Sequence, residues 1–187
     1  MPTRSILITI ATCLCIILAG ACGSQKTATK APEPDPKQLT WLSIEEAAQL
    51  MKKKPRKILV DVFTEWCGWC NRMYSVTFSD PEVVKYINTH FYAVKLNAEN
   101  PAPIAFNGKK YEFVNNGRRG YHAFAAYLLS NQMGYPSFAF IDEKLQPIQA
   151  FAGFKPPDAM AINMRFIAED HYKKTSWRNY ATENGLK

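Results

Sequence analysis

The sequence predicts an α/β fold, with a central mixed sheet flanked by helices on both faces. Three observations predict it. The run Ile58 to Thr64 is apolar apart from one charge, Asp61, and reads as a strand buried on both sides. Two further β-rich segments, Phe91–Leu96 and Ser137–Ile141, supply partner strands. Capped stretches of helical period lie between and around them, and these give the covering layers. In order, Ser43-Ile44-Glu45-Glu46 fits a capping box, and Ile44, Ala47, Ala48 and Met51 form a helical stripe that Pro55 ends. A second helix is expected to start near Cys67 and to carry Met73 and Tyr74. Asp80-Pro81 makes an N-cap and first-turn pair for a third helix, running to about Asn88. Ile148 to Phe151 should pair with Ser137–Ile141 as a hairpin joined through Glu143-Lys144, with Gly153 forming a bulge or closing the strand. Pro156-Pro157-Asp158 opens a last helix, to roughly Tyr172. No internal repeat is visible.

A chain of 187 residues, 47% hydrophobic and 13% aromatic, suits one folded domain with some tail and excludes a disordered chain. The formal charge of +7 raises the question of nucleic acid or an anionic membrane as partner. The basic residues are scattered, however: Lys52–Lys54, Arg56, Lys57, Lys109, Lys110, Arg118, Arg119, Lys173 and Lys174. None forms an aromatic-interleaved basic motif. The charge reads as a solvated surface, and no nucleic-acid partner is expected.

The N-terminus has the layout of an export signal over 1–21: Arg4, an apolar run from Ile6 to Leu18, then the small residues Ala19, Gly20 and Ala21. The run is short for a membrane span and lacks a stop-transfer flank. Leu18-Ala19-Gly20-Ala21-Cys22 resembles a bacterial lipobox, although Ala19 stands where Leu is usual. That resemblance implies a lipid on Cys22 as the mature N-terminus, and attachment to a bacterial cell membrane on its periplasmic or outer-membrane side. Ordinary secretory cleavage nearby, leaving Cys22 free or removed, is the alternative. The polar, Pro-rich stretch that follows reads as a tether over 22–38. The folded domain is expected at 39–174, with a C-terminal tail at 175–187.

Cys13 and Cys15 then lie in the removed signal, so Cys67 and Cys70 are left to the domain. A bridge between residues this close shuts almost no loop, so its purpose is chemical rather than stabilising. A Cys-x-x-Cys at a strand-to-helix junction places Cys67 at a helix N-terminus, where unpaired N–H groups and the helix dipole favour a thiolate. Cys70 lies about one turn on, along the same face, and can attack a mixed disulfide formed at Cys67. The other readings are half of a zinc site and an inert pair. Zinc needs two more ligands; no further cysteine is present in the expected domain, and His90, His122 and His171 are far apart. Asp61, the only charge in its apolar run, would have a raised pKa if buried and could act as a base near neutral pH. At a strand edge it would simply face solvent.

The stretch from Ile58 to Cys70, Ile-Leu-Val-Asp-Val-Phe-Thr-Glu-Trp-Cys-Gly-Trp-Cys, closely resembles the active-site strand and turn of thioredoxins. The resemblance extends from about Leu39 to Tyr172. It implies that Asp61 lies beneath the cysteines and helps move the proton of the resolving thiol Cys70, with Cys67 attacking. Val94-Lys95-Leu96-Asn97-Ala98-Glu99-Asn100-Pro101 resembles the family's third strand and loop, which makes Lys95 a lysine that approaches the buried carboxylate; otherwise it is a surface lysine. Tyr135-Pro136 resembles the family's cis-proline dipeptide beside the cysteines, against a trans proline as the plain alternative, and Gly153 matches its late glycine. Two departures stand out. Trp69 replaces the usual proline between the cysteines. About twenty extra residues, relative to a compact member, lie between Pro101 and Pro136. They hold a turn-like segment, Asn115–Gly120, and a helix-like run, Tyr121 to Leu129. The insert is either a helix packed on the core or a ledge that selects partners. Trp66, Trp69 and Tyr135 would form an apolar rim suited to a polypeptide.

The function expected is an enzyme exchanging disulfides with exported proteins, in the reductase or isomerase direction, without cofactor or metal. Its partners would be protein thiols or disulfides and a second redox protein. The alternatives are a module that assembles metal- or haem-proteins through the same thiols, for which Met73 alone is poor support, and a structural lipoprotein with a vestigial thiol pair.

Overall fold

A computed structural model describes residues 37–117 and 119–186. The predicted signal, Cys22, nearly all of the predicted tether and Arg118 lie outside the described residues. Among those described, no helix is long and apolar enough to cross a membrane.

The elements run β1 (Trp41–Leu42), α1 (Ile44–Lys53), β2 (Lys57–Phe63), α2 (Gly68–Arg72), a π-helical turn (Met73–Thr77), α3 (Pro81–His90) and β3 (Phe91–Asn97). The insert follows as β4 (Ile104–Phe106), β5 (Lys109–Tyr111), β6 (Phe113–Val114), β7 (Tyr121–His122) and α4 (Ala123–Leu128). The chain ends with β8 (Ser137–Ile141), β9 (Pro147–Ala152), α5 (Pro157–Ala168), a 3₁₀ turn (His171–Lys173) and α6 (Trp177–Glu183). The main sheet has the order β1-β3-β2-β8-β9. β1 and β2 run parallel to β3, while β8 is antiparallel to both β2 and β9. The expected mixed sheet with helices on both faces is present.

Side-chain alternation in β2 divides the core. Ile58, Val60 and Val62 face one cluster, with α1, α4 and the insert residues Phe106, Tyr111 and Phe124. Leu59 faces the other, with Met73, Phe78, α3, α5 and Tyr180 of α6. Asp61 shares the parity of Leu59, and its register partner Lys95 shares that of Ala93. Both therefore point to the second face, over which α2 and the π-turn lie.

Most elements stop for visible reasons. Ser43 and Glu46 form the reciprocal capping box, and the Asp80 carboxylate accepts from Glu82 and Val83 N–H at the start of α3. The helix after Cys67 is not one continuous α-helix: at Met73 it widens, and Phe78 N–H reaches Met73 C=O at 2.8 Å, five residues back. The last large helix ends at Ala168, short of Tyr172, because Asp170 takes a left-handed conformation (φ 58°). Its carboxylate meets the Lys57 ammonium at 3.1 Å, and Glu143 meets the same ammonium at 3.0 Å. Burial works against the charge on Lys57, but these two partners outweigh it and hold its pKa above the ordinary value. Residues 175–187, expected as a tail, carry α6 instead. Trp177 packs edge-on against Phe151 (4.7 Å) and Phe166 (5.3 Å), and Tyr180 is buried beside Phe166.

The insert is folded onto the core. Gly120 passes against β6 so closely that an added Cβ would lie 2.2 Å from the Phe113 ring. His122 is fully buried and caps α4: its Nδ1 accepts the Phe124 N–H at 3.0 Å, and its Nε2 faces Ala102 C=O at 3.1 Å. This pairing requires the neutral ring with its proton on Nε2. Burial lowers the His122 pKa below its usual 6.5, although Ala102 C=O and Glu45 favour the charged form. A depressed histidine pKa contributes stability that is complete above the unfolded value and is lost as pH falls through the folded one. Asp61, whose pKa is raised, acts in the opposite sense, so a comparison with a variant is needed. Between pH 7.5 and pH 5, wild type should lose more stability in urea than His122→Asn, whose amide can still cap α4. Equal losses would show that His122 does not carry the effect.

Candidate functional site

Cys67 and Cys70 form a disulfide, with S–S 2.06 Å and Cα–Cα 5.2 Å. Cys67 is the N-cap of α2, and its sulfur accepts the Cys70 N–H at 3.1 Å. The strand β2 ends just before the turn, so the pair sits where an apolar strand hands over to a helix start. Cys70 is almost fully buried, at 1% exposure, against 5% for Cys67. Cys67 is thus the sulfur nearer to solvent and to the helix N-terminus.

Of the three residues expected as a rim, Trp66 and Tyr135 meet each other, whereas Trp69 takes a different partner. Trp66 and Trp69 are exposed, at 55% and 59%. Trp66 meets Tyr135 edge-on at 6.0 Å and donates its indole N–H to Glu99 at 2.9 Å. The guanidinium of Arg119, from the insert, lies 4.5 Å from the Trp66 ring centre. Trp69 packs instead on Phe154 (5.4 Å), and the Arg72 guanidinium lies 5.8 Å from the centre of the same Phe154 ring. The Tyr135–Pro136 bond is cis. Pro136 C=O accepts the N–H of Gly153 at 2.8 Å, and Gly153 has φ +83°, a conformation that favours glycine.

Asp61 is buried, at 1% exposure. Burial pushes its pKa up to about 6; a hydrogen bond from Tyr74 and the charge of Lys95 pull it down in part. Tyr74 donates to Asp61 Oδ2 at 2.5 Å, while Oδ1 has no partner among the described groups. Lys95, beside Asp61 in register, makes no ion pair with it. Its ammonium lies 3.8 Å from the centre of the Tyr74 ring, 5.1 Å from that of Phe63 and 5.6 Å from that of Trp41. Lys95 therefore approaches Asp61 across an aromatic ring.

Sequence reasoning missed Tyr74, Phe154, Glu99 and Arg119. A signal existed for Tyr74, which lies four residues after Cys70 and so one turn along the same face. Phe154 directly follows Gly153. Nothing in the sequence marked Arg119, whose approach depends on how the insert folds. Among the described residues, no group of three or more His, Cys, Asp or Glu side chains is placed to hold a metal. His90 stacks on Tyr86, His122 caps α4, and His171 bonds to Glu169.

The fold is similar to several solved structures. A thioredoxin from Thermus thermophilus is 20% identical, covering 70% of this chain and 87% of that one, with TM-score 0.53. A thioredoxin-fold protein from Helicobacter pylori is 18% identical, covering 69% and 79%, with TM-score 0.52. A DsbH oxidoreductase is 16% identical, covering 78% and 94%, with TM-score 0.51. These likenesses establish architecture and no more. No functionally curated protein matches the chain. The sequence pattern of one family, described as a thioredoxin-like domain, matches residues 44–168. That span runs from α1 to the end of α5 and holds the sheet from β2 onward, the disulfide and the cis-proline, so the chain belongs to the thioredoxin-like domain family.

Proposed function

We propose that this protein is an exported thiol-disulfide oxidoreductase, held at a bacterial membrane by a lipid on Cys22, that reduces or rearranges disulfides in exported proteins. The observation that carries the reading is the Cys67–Cys70 disulfide closed at a helix N-terminus, with the Cys67 sulfur already receiving a backbone N–H. In the reduced pair that N–H would stabilise a Cys67 thiolate. The thiolate attacks one sulfur of a substrate disulfide; the other sulfur leaves as a thiolate, and a mixed disulfide forms at Cys67. Cys70 then gives up its proton, to Asp61 in this scheme, and attacks the Cys67 sulfur. The second substrate thiolate leaves, and the Cys67–Cys70 bond closes. Two electrons have passed from the pair to the substrate. A partner dithiol must return them, by the same two steps in reverse.

Trp66, Tyr135, Trp69 and Phe154 offer apolar surface on both sides of the pair, which suits a polypeptide more than a small thiol. A metal-assembly role gains nothing from Met73. That side chain is fully buried, and its sulfur accepts the Lys155 N–H at 3.3 Å.

Four outcomes follow from this reading. Cys70→Ser should accumulate mixed disulfides with exported proteins on non-reducing gels, and Cys67→Ser should accumulate few; equal trapping by the two would overturn the assigned roles. Asp61→Asn should slow resolution, leave the first attack nearly unchanged, and recover part of the rate as pH rises and hydroxide takes over. Because the Asp61 pKa is raised from 3.8 to about 6, its ionised form costs stability above about pH 6, and this cost disappears as pH falls below 4. Asp61→Asn should therefore resist urea better than wild type at pH 7.5, as followed by tryptophan fluorescence. Cys22→Ser should move the protein from the membrane fraction to the soluble one; a variant that stays membrane-bound, together with a wild-type chain that is uncleaved, would defeat the anchor.

A further inference from the structure

The least expected feature near the disulfide is the π-turn and the tyrosine it carries. Tyr74 sits one turn beyond Cys70, and its hydroxyl takes one oxygen of the only buried carboxylate on β2. The ring is held on several sides. Trp41 of β1 meets it edge-on at 6.2 Å, Phe63 of β2 at 6.3 Å, and Phe78 lies tilted at 5.9 Å. The Lys95 ammonium covers its face. So many contacts leave the hydroxyl little freedom to choose another partner.

Resting on the exchange reading above, we propose that Tyr74 is a positioning residue for the proton acceptor: its hydroxyl holds Asp61 Oδ2 and leaves Oδ1 as the atom that receives the Cys70 proton. The balance of the step is simple. The proton moves from Cys70 Sγ to Asp61 Oδ1, the Cys70 sulfur forms its bond to Cys67 Sγ, and the bond from Cys67 to the substrate breaks, with its electron pair leaving on the substrate thiolate. Tyr74 keeps its own proton throughout. Burial, and then the nearby Asp61 charge, push the tyrosine pKa well above its ordinary value, so it is a donor at every working pH. A donor that is always protonated stabilises the ionised carboxylate relative to the acid. Lys95 favours the same form, by its charge and by drawing on the electrons of the ring it covers. The other charged group facing Tyr74 is Glu65, which disfavours ionisation of the tyrosine and is itself engaged by Asn97 at 3.2 Å. On the β8 side the register partner of Asp61 is Phe138, which brings no charge.

The test is Tyr74→Phe, which retains the ring for Lys95, Trp41, Phe63 and Phe78 and removes only the hydroxyl. Asp61 is titrated in the full chain by ¹³C-carboxyl resonances, a readout independent of turnover. The midpoint should move upward from its wild-type position, and the acid limb of resolution should move with it. Loss of one hydrogen bond to a charged group should slow resolution near pH 6.5 by roughly three- to tenfold. Attack by Cys67 should be unaffected. In Asp61→Asn, adding Tyr74→Phe should change resolution no further, because the tyrosine acts through the carboxylate. An unmoved midpoint, a moved midpoint with an unmoved acid limb, or an extra loss in the double variant would each overturn the proposal. The exchange reading is judged separately, by trapping in Cys70→Ser, so the two can fail independently.

Discussion

The burial of β2 on both faces is the constraint from which the rest follows. A strand at the centre of a sheet with helices above and below has no exposed side. Ile58, Val60 and Val62 pack into one core and Leu59 into the other, and Asp61, charged and near the end of the strand, cannot turn to solvent. Slipping the register by one place would exchange the contents of the two cores, so the pairing with β3 and β8 is firmly set. Asp61 is consequently held beneath the face that carries the helix following Cys67.

The same strand carries a buried charge at each end, and the two are handled in opposite ways. Lys57 meets two carboxylates whose other sides reach water, and remains charged. Those contacts tie the start of β2 to the β8–β9 turn and to the end of α5. Asp61 meets a neutral hydroxyl, with its nearest cation behind an aromatic ring. Full pairing makes the first a structural feature. Partial compensation leaves the second with a pKa close to neutrality, where a carboxyl can give and take a proton.

The insert between Pro101 and Pro136 is packed on the core, the first of the two readings that its sequence left open. Phe106, Tyr111 and Phe124 complete the core beneath α1, which anchors the segment. From that base the loop between β6 and β7 brings Arg119 over Trp66, next to Cys67 in the chain. Trp69, between the two cysteines, meets Phe154, which follows the last strand of the sheet. The neighbours of Trp66 and Trp69 thus come from several distant parts of the chain.

Much of this was legible in the sequence, because short-range physics decides it. The apolar run with one acid, the Ser43 and Asp80 caps and the Cys-x-x-Cys spacing are local signals, and their elements lie where those signals place them, within a residue or two. Strand β1 was not legible, since two residues carry no period, and neither were the short hairpins of the insert. Helix α6 was not legible either, because only its tertiary contacts with Phe151 and Phe166 show why it folds. The sequence by itself determined the four longer strands of the sheet, most of its covering helices and the identity of the thiol pair. The tertiary structure decided that Lys95 would sit on Tyr74 rather than against Asp61, that the helix would widen after Cys70, and that Trp66 and Trp69 would take different partners. Such choices depend on which side chains from separate elements compete for one space, and spacing along a chain carries no record of that competition.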